Sequence, residues 1–275
     1  MIKSLLDIEI DCLLSAITER YGYDFRNYAR ASLKRRIQNY LTVSDCNHVS
    51  ELIPKVLHDK ECFAKFLSNM SVTVTEMFRD PLVFKSIRED ILPKLKTYSR
   101  INVWHAGCAT GEEVYSMAIL LEEEGLLDRA HIYATDFNAK SLATAKEGIY
   151  PAENVQLYTR NYLKAGGKSS FSDYYQANYE SAKMKDSLRE KITFASHNLI
   201  SDQVFAEMNL VLCRNVLIYF DKVLQDRVLE LFSDSLVSRG FLVLGDKEAI
   251  KYSIVKDDFE AVSERLKTYR KVLHV

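Results

Sequence analysis

At 275 residues the chain has room for one large domain or two smaller ones, at about 150 residues per domain. Hydrophobic residues at 47% and charged residues at 27% exclude disordered, collagen-like and disulfide-scaffold classes, and nine glycines and four prolines disfavour a turn-rich sandwich or barrel. Lys plus Arg at 37 against Asp plus Glu at 38 leaves a formal charge of -1, so no global field draws in nucleic acid and an electrostatic partner must meet a local patch.

The five cysteines are scattered and contain no CxxC pair, which points to reduced thiols rather than a disulfide framework or a metal site. No apolar run approaches a membrane span, and Asp7, Glu9 and Asp11 interrupt any signal-peptide core. The expectation is a cytoplasmic protein that is not membrane-embedded.

Up to about residue 95 the pattern is helical, with Leu33, Ile37, Tyr40 and Leu41 forming one apolar stripe and no strand in evidence. From Ile101 the texture changes to short apolar runs between helical stretches: Ile101 to Trp104, Ile132 to Ala134, Ile192 to Ala195, Leu210 to Cys213 and Phe241 to Leu244. Strands alternating with helices predict a mainly parallel α/β sheet. The expected division is a helical segment over 1–95 and a sheet domain over 96–275. Between Tyr150 and Arg189 the alternation breaks, with many tyrosines, the Gly166-Gly167 pair and no clean helical period. That stretch reads as an insertion, either a small antiparallel excursion around Phe171 to Met184 or a disordered loop.

The first strand ends in Ala106-Gly107-Cys108-Ala109-Thr110-Gly111-Glu112-Glu113 and runs into a helix. Glycines let a ligand approach the backbone and a helix N-terminus offers unpaired N–H groups, but two glutamates there would repel a pyrophosphate, and the spacing is not Gly-x-Gly-x-x-Gly. A cationic ligand suits this turn better than an NAD-type dinucleotide. The alternative is a tight turn whose acids complement the helix dipole. The second strand ends at Asp136, where a carboxylate at the C-terminal sheet edge can accept ribose hydroxyls or, alternatively, cap the helix opening near Ala139. A third element, Cys213-Arg214-Asn215-Val216-Leu217-Ile218-Tyr219-Phe220-Asp221, carries polar groups to the same edge, with Tyr219 readable as a core aromatic.

These strings, with Ser71-Val72-Thr73-Val74-Thr75-Glu76-Met77-Phe78-Arg79-Asp80-Pro81 and His197-Asn198-Leu199, resemble the CheR protein-glutamate O-methyltransferases over most of the chain. The resemblance implies a Rossmann-like methyltransferase sheet with a helical N-terminal domain and a small antiparallel β insertion. It implies S-adenosylmethionine as cofactor, S-adenosylhomocysteine as product, and methyl transfer to glutamate carboxylates on the cytoplasmic helices of chemoreceptors or a related signalling protein. Cofactor contacts would come from Thr73, Thr75, Arg79, Ala106, Gly107, Glu113 (methionine amino group), Asp136 (ribose) and Phe137, with Asn198, Leu199, Arg214 and Asn215 flanking the adenosine. Arg79 and Tyr219 would hold the attacking carboxylate, and Arg26, Arg30, Lys34, Arg35 and Arg36 would form a basic substrate-docking face. The competing reading is a cofactor-binding regulatory module without turnover. His105, Val114, Phe137 and Gly245-Asp246-Lys247-Glu248 depart from the commoner family residues.

Overall fold

The computed structural model describes residues 3–71 and 73–273. Two compact units divide the chain: Met1–Val72 with Ile218–Arg227, and Thr73–Leu217 with Val228–Val275. Val72, inside the Ser71 to Pro81 string, lies outside the described residues.

The first unit is built on α1 (Leu5–Tyr21), α2 (Arg30–Val43), α3 (Leu52–His58) and α4 (Lys60–Met70). Ser4 caps α1 by accepting from the Asp7 N–H, and Gly22 ends it at φ 76°, donating back to the Thr18 carbonyl. Ile10, Leu13, Leu14 and Ile17 recur at helical spacing and are buried with Leu33, Ile37 and Tyr40 of α2, so the stripe expected on α2 forms part of this core. Leu41 packs against that core only partly buried. The returning segment joins by backbone: Ala29 N–H donates to the Tyr219 carbonyl and Asp221 N–H to the Asn27 carbonyl, both at 2.8 Å.

The second unit begins with α5 (Pro81–Ser86), a π-turn over Ile87–Ile91 and α6 (Leu92–Leu95). Met77, Phe78, Phe84, Ile87, Ile91, Leu92 and Leu95 are buried in one core with the sheet residues, which moves the division expected near residue 95 upstream to 72/73. Then follow β1 (Ile101–Ala106), α7 (Glu112–Glu123), β2 (Ala130–Asp136), α8 (Ala139–Glu147), β3 (Ile149–Pro151), α9 (Val155–Lys164), β4 (Tyr175–Ala177), β5 (Ser181–Met184), α10 (Asp186–Arg189), β6 (Ile192–Ser196), β7 (Met208–Cys213), α11 (Lys222–Ser235), β8 (Leu236–Leu244), β9 (Phe259–Ser263) and β10 (Thr268–Lys271). Of these, α11 straddles the division after Arg227.

The main sheet has the order β6-β2-β1-β7-β8-β10-β9. Its first five strands are parallel, and β10 runs antiparallel to both neighbours. Every residue of β7 is buried, as expected of a central parallel strand covered on both faces. The five expected strands are β1, β2, β6, β7 and β8. The sequence reading missed β9 and β10, whose partly exposed, polar residues give no continuous apolar run. Strand order reverses at β1, so the crevice beyond the carboxyl ends of β1 and β7 is the switch point where such sheets hold ligands.

The insertion is folded, with a second sheet of order β3-β5-β4, all antiparallel. It also contains α9, a helix the sequence reading lacked. The buried face of α9 is Tyr158, Asn161 and Tyr162, so helical spacing is present but is carried by polar and aromatic side chains rather than aliphatic ones.

Candidate functional site

Gly107 follows β1 at φ 77°, and a Cβ there would lie 2.6 Å from Val216 Cγ2. Gly111 sits at φ 92°, and a Cβ would lie 2.8 Å from Ala145 Cβ. Both positions therefore demand glycine for space as well as for conformation. The turn is tied to β2 because Gly107 and Cys108 N–H both donate to the Thr135 carbonyl, at 2.8 and 2.9 Å.

Asp136, at the end of β2, accepts from Ala109 N–H through Oδ2 at 2.9 Å and from Asn138 N–H through Oδ1 at 2.8 Å. Burial pushes its carboxyl up, against the downward pull of these backbone donors. It does not cap α8. Asn138 does, accepting from Lys140 and Ser141 N–H at 3.0 and 3.4 Å, which corrects the capping alternative. Asp136 instead joins the glycine turn to the second strand and retains lone pairs on both oxygens for hydroxyl donors.

At the start of α7, Glu113 is held on both oxygens: Oε1 lies 3.1 Å from His105 Nδ1, and Oε2 accepts from Arg214 Nη1 at 2.9 Å. Burial raises its pKa, but His105 and Arg214 outweigh that and hold the carboxyl below its usual range. Arg214 also donates to the Arg79 carbonyl at 3.1 Å and to Asp80 at 2.6 Å. Its side chain is 1% exposed. Its guanidinium is consumed in fixing Glu113 and Asp80. Asp80 is correspondingly the N-cap residue of α5 without a capping hydrogen bond.

Beside this pair, Glu112 accepts from the Thr110 hydroxyl at 2.7 Å, and burial pushes its carboxyl up to about 7. The Cys108 and Cys213 thiols are likewise pushed up by burial, so neither is a ready nucleophile.

Beyond β7, Glu248 accepts from Asn215 N–H at 3.1 Å, Val216 N–H at 2.8 Å and Gly245 N–H at 2.6 Å. Three backbone donors on one carboxylate fix the turn that carries Asn215, itself at φ 62°. Sequence reasoning missed Asp80 and Glu248 as supports. The retained Glu three residues after Gly245 was the available signal for the second. Among the described residues six non-glycine positions have positive φ, and four of them, Phe78, Asp80, Ala109 and Asn215, belong to these site segments. Such backbone persists where the surrounding bonds over-determine it.

The remaining expected contacts are placed as follows. Thr73 is exposed and Thr75 half-buried, and Arg79, half-buried, donates from Nη1 to the Val74 carbonyl at 3.3 Å. Ala106 ends β1, and Phe137 is half-buried beside Asp136. Asn198 accepts from Ile200 N–H at 3.0 Å, and Leu199 is buried. Among the described residues no cluster of His, Cys, Asp and Glu could hold a metal ion.

In the first unit the basic face is less free than its sequence suggests. Arg26 pairs with Asp24 at 2.6 Å, Arg30 with Asp11 at 2.6 Å and Asp7 at 3.3 Å, and Lys34 lies 3.7 Å from Asp7. Arg36 is 8% exposed, donates to the Met70 carbonyl at 2.5 Å and lies 4.6 Å from the Tyr219 ring centroid. Its place on the docking face is therefore corrected: it is an internal brace. Arg35 is exposed and has no ion pair among the described residues.

The family description "CheR methyltransferase, all-alpha domain" matches residues 8–71, and "CheR methyltransferase, SAM binding domain" matches residues 73–267. A Pseudomonas putida protein bearing the name Cher3 is 53% identical over 265 residues, 96% of this chain and 97% of that protein. A chemotaxis protein methyltransferase of Listeria innocua is 29% identical over 248 residues, 89% of this chain and 92% of that protein. Chemotaxis protein methyltransferase 1 of Vibrio cholerae is 29% identical over 239 residues, 84% of each chain.

Proposed function

Because the chain belongs to the CheR methyltransferase family, S-adenosylmethionine-dependent enzymes of the protein-glutamate type, we propose that it esterifies glutamate carboxylates on helical segments of a chemoreceptor or a related signalling protein. The observation that supports the cofactor assignment is the donor set beyond β1 and β2. Glu113, held ionised, suits an ammonium group, and Asp136 suits hydroxyl donors, whereas two anions at this turn would oppose a pyrophosphate. When bound, the cofactor supplies a methyl group activated on a sulfonium.

A glutamate side chain has a pKa near about 4.3 and is already ionised at neutral pH, so its attack needs no general base. The protein's part is to orient that carboxylate and to strip water from it. The resemblance supplies Arg79 and Tyr219 for the orienting role. Gly107, Glu113 and Asp136 bind, while Arg214, Asp80 and Glu248 fix the segments that present them.

The test is transfer of labelled methyl to a purified chemoreceptor cytoplasmic fragment, read as alkali-labile methanol. Transfer is expected, and Arg79→Ala and Tyr219→Phe are each expected to lower single-turnover rates by about 100-fold or more, with smaller effects on substrate affinity. Cofactor binding without transfer to the fragment would overturn the substrate assignment.

A further inference from the structure

The surroundings of His105 give it a specific task. It lies in β1, in register with Ala134 of β2 and Leu212 of β7, and is 1% exposed. An ionised carboxylate only accepts hydrogen bonds, so the 3.1 Å contact to Glu113 Oε1 places the ring hydrogen on Nδ1. The other ring nitrogen, Nε2, is buried with no hydrogen-bond partner among the described residues. Burying an imidazole with one nitrogen unpaired is unfavourable, and an apolar residue at this position would avoid that cost. What the histidine supplies in return is the bond to Glu113.

That bond has no substitute among the described residues. Arg214 reaches only Oε2, its second Nη is given to Asp80, and its Nε is buried without a partner. Without His105, Oε1 would lose its hydrogen bond and the carboxylate would be free to rotate about a single anchor. The charged and titratable groups around the pair are Arg214 after β7, Asp80 before α5, and the Cys108 and Cys213 thiols, which couple electrostatically to Glu113.

We propose that His105 is a positioning residue that locks Glu113 in the orientation that receives the cofactor's ammonium group. The proposal rests on the reading of Glu113 as the ammonium acceptor. It predicts selectivity for ligands that carry the amino-acid end.

Calorimetry with S-adenosylhomocysteine and with 5′-methylthioadenosine, which lacks the amino-acid end, tests both layers. Glu113→Gln should weaken S-adenosylhomocysteine and leave methylthioadenosine unchanged. His105→Leu should weaken S-adenosylhomocysteine by about tenfold while methylthioadenosine stays within about twofold, and His105→Asn, whose amide nitrogen can stand in for Nδ1, should restore most of the loss. Equal weakening of both ligands in His105→Leu, or no rescue by His105→Asn, would mean a purely structural role and overturn the proposal. Unchanged S-adenosylhomocysteine affinity in His105→Leu alongside a selective Glu113→Gln defect would overturn it while leaving the cofactor reading standing. A Glu113→Gln variant without selectivity would overturn that reading itself, and the proposal with it.

Discussion

Glu112 and Glu113 are chain neighbours at one helix start, and the fold drives their carboxyls in opposite directions. Glu113 meets an imidazole and a guanidinium and stays ionised, while Glu112 meets the Thr110 hydroxyl and is pushed up by burial to about 7. A folded-state pKa above the unfolded one means that the native protein binds the proton more tightly. The stabilisation is fully present below about 4.5 and is lost as pH rises through about 7. Glu112→Gln, which keeps the shape and stays neutral, should therefore change the melting temperature little at pH 5 and raise it at pH 8. At pH 8 the gain should be about 1–3 kcal/mol, and equal effects at the two pH values would contradict it. Glu113 and Asp136 were legible in the sequence because one lies in the first turn of a helix and the other ends a strand. The Asp80 contact to Arg214 was not, because 134 residues separate the pair and no local pattern encodes it.

Among the elements, α2 shows how a charge run divides once its neighbours are placed. Asp7 and Asp11 project from α1 at a spacing of four, and Arg30 meets both. Arg36, on the buried side, braces Met70 and Tyr219. On the proposed function, docking to an acidic helix would then fall to Lys34 and Arg35. Reversing both to Glu should raise the KM for the protein substrate, most strongly at low salt, and leave cofactor affinity unchanged. Loss of cofactor affinity would refute the assignment. Arg36→Ala should instead lower stability by about 1–3 kcal/mol, measured by urea unfolding, because it leaves a buried carbonyl unpaired. The stripe of α2 was legible because Leu33, Ile37 and Tyr40 are apolar at helical spacing. In α9 the same spacing is carried by Tyr158, Asn161 and Tyr162, and in the edge strand β9 and its neighbour β10 polar and charged residues interrupt the apolar signal.

At the scale of the whole molecule, the mainly parallel sheet could be read from five apolar runs, whereas the division between units could not. Residues 81–95 are helical like much of the first unit, and only packing shows that Met77, Phe84 and Leu92 belong with the sheet. Nor does any sequence pattern announce that Ile218–Arg227 returns to the first unit, since backbone bonds from Ala29 to Tyr219 and from Asp221 to Asn27 make that join. Those bonds have a consequence for biosynthesis. At a translation rate of about 5–20 residues per second, residues 218–227 leave the ribosome about 7–30 s after residue 71. For that interval the nascent helices must persist without the strand-like bridge from Phe220 to Tyr28 and with Arg36 lacking its aromatic partner. The helical unit, although most of it precedes the sheet in the chain, is thus completed only after residues 73–217 of the second unit have been made.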